Sequence, residues 1–454
     1  MTDAPDWRLP LLAGAMPLEV PAPTRNPAAW PGYVPRQAVS AWVLAAGPVA
    51  AVWDFGVFGG SFGEDDATTL VAAAREAVRR RVPLVTLVRS GGTRLQEGMA
   101  ALVGIPRARL ALLDLAAAGL PHLSVADAPT TGGVWISVVS MADLRVAVEG
   151  ATVGFAGPRV VEAVTGSRPP EGTHSAESAF AAGLVDAVLP GGQVRAWLDE
   201  ALAALAPGTP TPAEPRTGTA RDDGGWAQVA RARSRSRGGA ELLGTLLEGG
   251  VPLRAPRGDQ TVAASIGRLG GLAVVGVALA ADIGVRPTPD GYRLAARAYR
   301  LAGRLGLPVL SLVDTPGAEP GSDAEQDGIA PAIGDALDAL LTCSAPTVAL
   351  VHGEGGSGGA LAAATADLLL LTADSYFAAI GPEGAEAALG RPAAECADLM
   401  RITPADLLAL GAADAVLEHP ADVAAHLVDL AACSPADRQA RRARRWSGPV
   451  PGRL

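Results

Sequence analysis

The sequence predicts an α/β fold with a largely parallel sheet, built twice in tandem within a chain of 454 residues. Three observations carry this reading. Short apolar runs alternate with helical stretches across short loops, as in strand–helix–strand units. Matching segments return in the same order at nearly constant spacing. Ala142-Asp143-Leu144 returns as Ala366-Asp367-Leu368 and Gly157-Pro158 as Gly381-Pro382, each 224 positions on. Val185-Asp186-Ala187-Val188 resembles Ala413-Asp414-Ala415-Val416, 228 positions on, and Gly92 and Gly317 each close a loop after a strand. Four correspondences of this kind point to a duplicated unit.

In chain order, residues 1–40 read as an irregular surface arm rich in Pro and Ala, with Trp7 and Trp30. Val43 to Phe55 reads as one or two strands, Ala67 to Arg80 as a helix whose final arginines suit its C-terminus, and Val82 to Val88 as a buried strand. Pro106 to Gly119 is a predicted helix, 122–126 a buried strand, and Leu144 to Val148 another. Helices are expected at 175–182 and 191–205, around a strand from Leu184 to Leu189. The first unit is therefore placed at 41–205. Residues 206–225 are dense in Pro, Thr, Gly and Arg without an apolar period, and read as a linker to a second unit at 226–454. There, strands are expected around 260–280, at Pro308 to Val313 and at Thr347 to Val351, with an amphipathic helix from Asp290 to Leu305.

Hydrophobic residues make up 49% and charged residues 19% of the chain, enough for large cores. The formal net charge of −10 argues against a nucleic-acid binder. Cys343, Cys396 and Cys433 have neither metal-ligand nor disulfide spacing, so no metal is expected. Met1 to Asp6 lacks the basic-then-apolar pattern of a secretory leader, and the run Leu269 to Ala281 is too short for a bilayer; a cytoplasmic protein without membrane contact is expected. The sequence contains no lysine, which excludes Schiff-base chemistry and any group attached through a lysine amide.

The chemistry centres on Ala128-Pro-Thr-Thr-Gly-Gly-Val-Trp-Ile-Ser137, where two glycines join a strand to a helix. Such a turn leaves the first N–H groups of the helix unpaired and can hold an anionic oxygen, including one that forms only during a reaction; the alternative is a tight turn without a ligand. His352-Gly-Glu-Gly-Gly-Ser-Gly-Gly-Ala360 is its counterpart in the second unit. His122 and His352 lie on or just after core strands and read as structural. The run Arg231-Ala-Arg-Ser-Arg-Ser-Arg237 reads either as a solvated face or as a contact with an anionic group such as a nucleotide phosphate.

Several longer motifs resemble one family. Ser90-Gly-Gly-Thr-Arg-Leu-Gln-Glu-Gly98, Pro129-Thr-Thr-Gly-Gly-Val134 and Gly154-Phe-Ala-Gly-Pro-Arg-Val-Val-Glu162 are similar to the β chain of bacterial acyl-CoA carboxylase carboxyltransferases. Pro289-Asp-Gly-Tyr-Arg293, Val313-Asp-Thr-Pro-Gly-Ala318, Gly353-Glu-Gly-Gly-Ser-Gly-Gly-Ala360, Gly381-Pro-Glu-Gly384 and Ile402-Thr-Pro-Ala-Asp-Leu-Leu408 are similar to the α chain. The resemblance implies two tandem crotonase-like domains (the ClpP/crotonase ββα-superhelix), β-like then α-like. It implies transfer of a carboxyl group from carboxybiotin, carried on a separate protein, to a short-chain acyl-CoA through an enolate. Gly132, Gly133 and Val134 would hold the thioester oxygen, with Gly91, Gly92 and Arg94 on the facing wall. Gly358, Gly359 and Ala360 would hold the ureido oxygen of biotin, with Gly317 in the matching place.

Backbone donors suffice for this, each worth roughly 3–4 kcal/mol to the barrier, and no general-base side chain is needed. Arg94 could instead be a loop-fixing ion pair with Glu97 or Asp127. Gly157 and Glu383 read as architectural, and Trp135 and Leu361 as pocket floor. The implied partners are a biotin carrier protein, a biotin carboxylase, and further copies of this chain in a homodimer or larger assembly, with the active site between two subunits. The β chain's zinc ribbon has no counterpart, since no cysteine precedes residue 343. The same enolate hole would serve a biotin-independent decarboxylase of a malonyl-type thioester on CoA or an acyl-carrier protein, and a non-catalytic paralogue is the third reading.

Overall fold

The computed structural model describes residues 7–22, 25–221 and 223–447; the stretch Met1–Asp6, read above for a leader, lies outside them. The chain divides into two compact units, Met1–Leu202 and Ala203–Leu454. Each holds one eight-stranded, mostly parallel sheet.

In the first unit the strands are β1 (Met16–Pro17), β2 (Val39–Val43), β3 (Val49–Trp53), β4 (Leu84–Ser90), β5 (His122–Thr131), β6 (Leu144–Val148), β7 (Val153–Gly154) and β8 (Ala187–Leu189). They run in the order β1-β2-β3-β4-β5-β6-β8, with β7 beside the end of β5. The pairings β1–β2 and β2–β3 are antiparallel and the rest parallel. In the second unit the strands are β9 (Glu248–Leu253), β10 (Val262–Leu269), β11 (Leu272–Leu279), β12 (Val309–Thr315), β13 (Thr347–Gly356), β14 (Leu368–Thr372), β15 (Tyr376–Ala378) and β16 (Ala415–Leu417). Their order is β16-β14-β13-β12-β11-β10-β9, with β15 beside β13.

The duplication extends to register. Val88 pairs with Ala126, but the next pair is Ser90 with Thr130. Val313 pairs with Val351, and the next pair is Thr315 with Gly355. Both central strands, β5 and β13, thus carry two extra residues at the same place. Helices Glu64–Arg80 and Pro289–Leu305 also correspond, with 17 residues each. The first has three acidic residues in its first turn and two arginines in its last, complementing the helix dipole. The second is capped by Thr288, whose side chain accepts the Gly291 N–H, and ends at left-handed Gly306. Each presents a buried face of small and branched residues to its sheet, including Leu70, Ala74 and Ala77 in one and Leu294, Ala298 and Leu301 in the other.

Several elements differ from expectation. The helix expected from Pro106 begins at Met99 and contains that proline. Strand β5 runs to Thr131, because its last residues pair with Ser90 and with β7. The N-terminal arm is only partly irregular: it contributes β1 and helix Leu9–Leu12, and Arg8 Nη1 donates to Trp53 O at 2.7 Å. The stretch after 206 is likewise held, with the Thr211 N–H on Gly270 O and the Gly218 N–H on Val416 O, both at 2.8 Å.

The repeated aspartates have an architectural reason. Asp143 Oδ2 accepts the His122 N–H at 2.8 Å while its own N–H donates to His122 O. Asp367 does the same for Thr347, at 2.9 Å. Asp186 and Asp414 repeat the exchange with Arg145 and Leu369. Each clamps the start of a parallel strand to its neighbour. Asp367 is fully buried and also pairs with Arg442 at 2.9 Å. Replacing it by alanine leaves the buried Arg442 guanidinium bonded to carbonyls but without its paired carboxylate, so Asp367→Ala should cost about 3–5 kcal/mol. Asp143→Ala, which loses a hydrogen bond at a half-buried site, should cost about 1–3 kcal/mol; urea midpoints compare the two.

A pH dependence follows from His352 on β13. Its Nε2 is enclosed and without a hydrogen-bond partner among the described residues. Burial, reinforced by the nearby Arg235 charge, lowers it from 6.5 to about 3. The unfolded chain therefore binds this proton first. Stability from this residue is intact above about pH 6.5 and declines as pH falls toward 3. Urea midpoints between pH 7 and 4 should fall less steeply for His352→Leu than for wild type.

Candidate active site

In the first unit, β5 delivers the chain to Gly132, which has φ +68° and donates its N–H to Phe155 O at 3.0 Å. A Cβ here would lie 3.1 Å from Gly92 Cα, so the left-handed turn and the close approach both require glycine. Gly133 and Val134 follow in the first helical turn, where amides have no carbonyl one turn back. The facing wall is the loop after β4. Gly92 has φ +109°, and its N–H is held by Ser90 Oγ at 3.1 Å. Phe62 donates to Gly92 O and accepts from Arg94 N–H, so the Thr93 N–H between them faces away from Phe62 and pairs with nothing among the described residues. Thr93 Oγ1 lies 3.4 Å from where a Cβ on Gly133 would stand. A cleft of about 560 Å³ opens here. Beyond Thr93 and Gly133, its lining is apolar and includes Met99, Leu102, Val103, Ile136 and Phe155.

The second unit repeats the arrangement. Ser357 takes the place of Gly132 with φ +61°, a conformation that costs a non-glycine residue about 1–2 kcal/mol. Gly317 has φ +135° and its N–H is held by Thr315 Oγ1 at 3.1 Å, as Gly92 is by Ser90. Ala318 occupies the place of Thr93, and its N lies 2.7 Å from where a Cβ on Gly359 would stand. No atom comes within 4 Å of a Cβ on Gly358. The cleft in front is about 670 Å³. It is more polar than the first, with Arg233, Arg286, Glu319, Glu325 and Glu383 among its lining residues.

Gly132, Gly133 and Val134 thus correspond to Ser357, Gly358 and Gly359. Ala360 is the fourth residue of helix Ser357–Ala364, one position beyond the counterpart of Val134, where a helical amide has the N-cap carbonyl of Gly356 as its partner. Arg94 makes the loop-fixing ion pair with Glu97 that was its alternative reading. It is wholly buried, bonded to Asp66 at 2.5 Å and Glu97 at 3.1 Å, so it fixes the loop and presents no charge to a ligand. Asp127 instead accepts Trp7 Nε1 at 3.2 Å. Gly91 donates to Gly59 O at 2.9 Å and shapes the same loop. Gly157 caps helix Pro158–Thr165 and has room for a Cβ, 3.8 Å from Thr131 Cγ2. Trp135 is buried in the core, and Ile136 and Phe155 line the first cleft in its stead; Ile333 and Ile380 line the second without Leu361.

In the arginine run, Arg233 and Arg237 are exposed and Arg231 and Arg235 half-buried, and each is paired with a carboxylate. Arg233 bonds Glu354 at 2.9 Å and Glu383 at 2.6 Å, and Arg235 pairs with buried Asp314. Arg231 and Arg237 pair with Asp223 and Glu241. Hydrogen bonds from Arg233 hold the Glu383 carboxyl below the usual range. Burial pushes Asp314 up, against the opposing pull of Arg235. Tyr376 donates to Glu354 at 2.8 Å, and burial pushes its hydroxyl up, so it remains protonated. His122 has a structural partner, Thr86 Oγ1, at 3.0 Å. Among the described residues no cluster of three His, Cys, Asp or Glu side chains is placed to hold a metal ion, and no helix is long and apolar enough to cross a membrane. Thr93 and Ala318 escaped the sequence reading; the repeat of Gly92 in Gly317 pointed to the residue just after each.

Comparison with known proteins gives this geometry a family. Residues 48–179 match the carboxyl transferase domain, and residues 253–439 match the acetyl co-enzyme A carboxylase carboxyltransferase-like family. The acetyl-coenzyme A carboxylase carboxyl transferase subunits beta/alpha of Salinispora arenicola are 40% identical over 83% of this chain and 72% of theirs. A probable biotin-dependent acyl-coenzyme A carboxylase beta3 subunit of Mycobacterium tuberculosis is 35% identical over 84% of this chain and 79% of its own. The crystal structure of the transcarboxylase 12S hexamer with methylmalonyl-coenzyme A bound shares the crotonase-like fold. Its TM-score is 0.73 at 22% identity, over 88% of this chain and 82% of that one. With both halves matched in the order β-like then α-like, the chain belongs to the carboxyltransferase family of acyl-CoA carboxylases.

Proposed function

We propose that this chain transfers a carboxyl group between biotin, carried on a separate protein, and the α-carbon of an acyl-CoA thioester. The observation that carries the reading is the repeat of one device: unpaired main-chain amides on two sides of a cleft, once with an apolar lining and once with a polar one. In the first unit, the N–H groups of Thr93, Gly133 and Val134 hold the thioester oxygen and stabilise the charge that develops there as the α-carbon becomes an enolate. In the second, those of Ala318, Gly358 and Gly359 hold the oxygen of a cyclic urea. The open space in front of Gly358 suits a flat ring lying against the turn, and neutral amides suit an oxygen that gains charge only during reaction. When bound in its carboxylated form, biotin would supply the carboxyl group and, once that group has left, a base for the α-proton. Because the chain lacks lysine, its biotin is carried by another protein, consistent with biotin-dependent relatives. Exposed Leu95, Met99, Val103, Phe155 and Val164 on the first unit support assembly with further copies.

The test is release and transfer of label from carboxyl-labelled malonyl-CoA, with and without free biotin. Transfer that depends on biotin is expected; rapid label loss as CO2 without biotin would favour the decarboxylase reading. A Cβ on Gly133 stands 2.3 Å from the flexible tip of Ile105 and 3.4 Å from Thr93 Oγ1, so Gly133→Val pushes that tip aside and fills the first cradle. It should lower kcat by about 100-fold or more while the protein stays folded. Gly358→Ala meets no atom within 4 Å and should lower transfer to biotin by about tenfold or more without changing Tm. Near-normal turnover in both variants would remove these turns from the reaction.

A further inference from the structure

Tyr292 has no counterpart in the first unit. It lies on helix Pro289–Leu305, at the position that Ala67 holds on helix Glu64–Arg80. Its side chain is fully buried, yet its hydroxyl has no hydrogen-bond partner among the described residues. An unpartnered buried hydroxyl is costly, and a Phe there would keep the packing without that cost.

The hydroxyl sits under the second cradle. A Cβ on Gly359 would lie 2.7 Å from Tyr292 Oη and 2.7 Å from Ala318 N. In the first unit the position of Gly359 is Val134, which is buried with Ala67 in one apolar cluster. The two units thus fill the same space in opposite ways. A large residue on the turn meets a small one on the helix in the first; a glycine on the turn meets a tyrosine in the second. The exchange conserves volume but brings a polar donor next to the amides of only one cradle. Burial pushes the Tyr292 hydroxyl well above its ordinary value, so it remains a donor across the working range of pH.

We infer that Tyr292 Oη is a further donor of the second cradle, acting from beneath Gly359 on the oxygen held by the Ala318, Gly358 and Gly359 amides. This rests on the functional reading above, in which that oxygen belongs to the cyclic urea of biotin. A phenol adds its hydrogen bond where charge develops, and such a donor alters the rate more than the binding of acyl-CoA at the other cradle.

Tyr292→Phe tests this in the full chain. Biotin-dependent transfer should fall about 10- to 100-fold in kcat with the KM for acyl-CoA unchanged. The affinity for free biotin, measured by calorimetry, should weaken several-fold. The thermal midpoint should hold or rise, since the hydroxyl has no partner to lose. An unchanged kcat, or a fall in rate accompanied by a lower midpoint, would overturn the inference in favour of a packing role. If wild type transfers no label to biotin, the functional reading fails, and the biotin affinities of the two proteins still judge the hydroxyl. Equal affinities, or no biotin binding by wild type, would overturn it.

Discussion

The site depends on one constraint: the two-residue slip between the central parallel strands. Up to Val88 and Ala126 the strands pair in ordinary register; beyond it, Ser90 meets Thr130. The slip carries β5 past the sheet edge and lets it turn into a helix at Gly132, opposite the loop that β4 has just entered. β12 and β13 make the same slip before Ser357. A hydroxyl then pins each loop, Ser90 on the Gly92 N–H and Thr315 on the Gly317 N–H. The amides of Thr93 and Ala318 are left facing the cleft because their neighbours are occupied. Preorganised donors of this kind need no reorientation when charge appears, which is the source of their catalytic value.

What the two units share and where they differ follow from different forces. Strand clamps by Asp143, Asp186, Asp367 and Asp414 recur because each satisfies the same backbone N–H at the same strand start. The left-handed turn recurs even where it is strained, at Ser357. Cleft linings diverge, because side chains there are not bound by the pairing of the sheet. Where the first cleft has Phe155, the second has Ile380, and Arg286 and Glu383 join its lining. A shared backbone with unlike linings fits a reaction between two unlike partners better than it fits one substrate bound twice.

The sequence made the scaffold legible through residues that only backbone geometry demands. Gly92 and Gly317 have positive φ, and the paired Asp motifs clamp strands; both leave nearly constant spacings in the sequence. Residues whose role depends on which way a side chain turns were harder to read. Arg94 sits in a loop that touches the site, yet its guanidinium turns inward to Asp66, which is distant in sequence. The arginines from 231 to 237 read as a charged run because their partners, Glu354, Asp314 and Glu383, lie far along the chain. Ser357 stands where a glycine marks the turn in the first unit, so the glycine pair alone does not set the phase between the two turns.

Main-chain chemistry also explains why the donors themselves are invisible in sequence. Thr93 and Ala318 contribute an amide that any residue but proline possesses. Their identities carry no signal, and substitution at those positions would leave the donor in place. Information about such a site resides in the residues that shape the backbone: the glycines that allow close approach, the hydroxyls that pin the loops, and the small residues that leave the clefts open. The vulnerable positions of the site are therefore its neighbours. A Cβ on Gly356 would strike Pro316 O at 2.3 Å and displace the whole loop, whereas a Cβ on Gly358 enters open space. The first glycine builds the cradle and the second keeps it empty, a distinction that composition cannot express and that geometry makes at once.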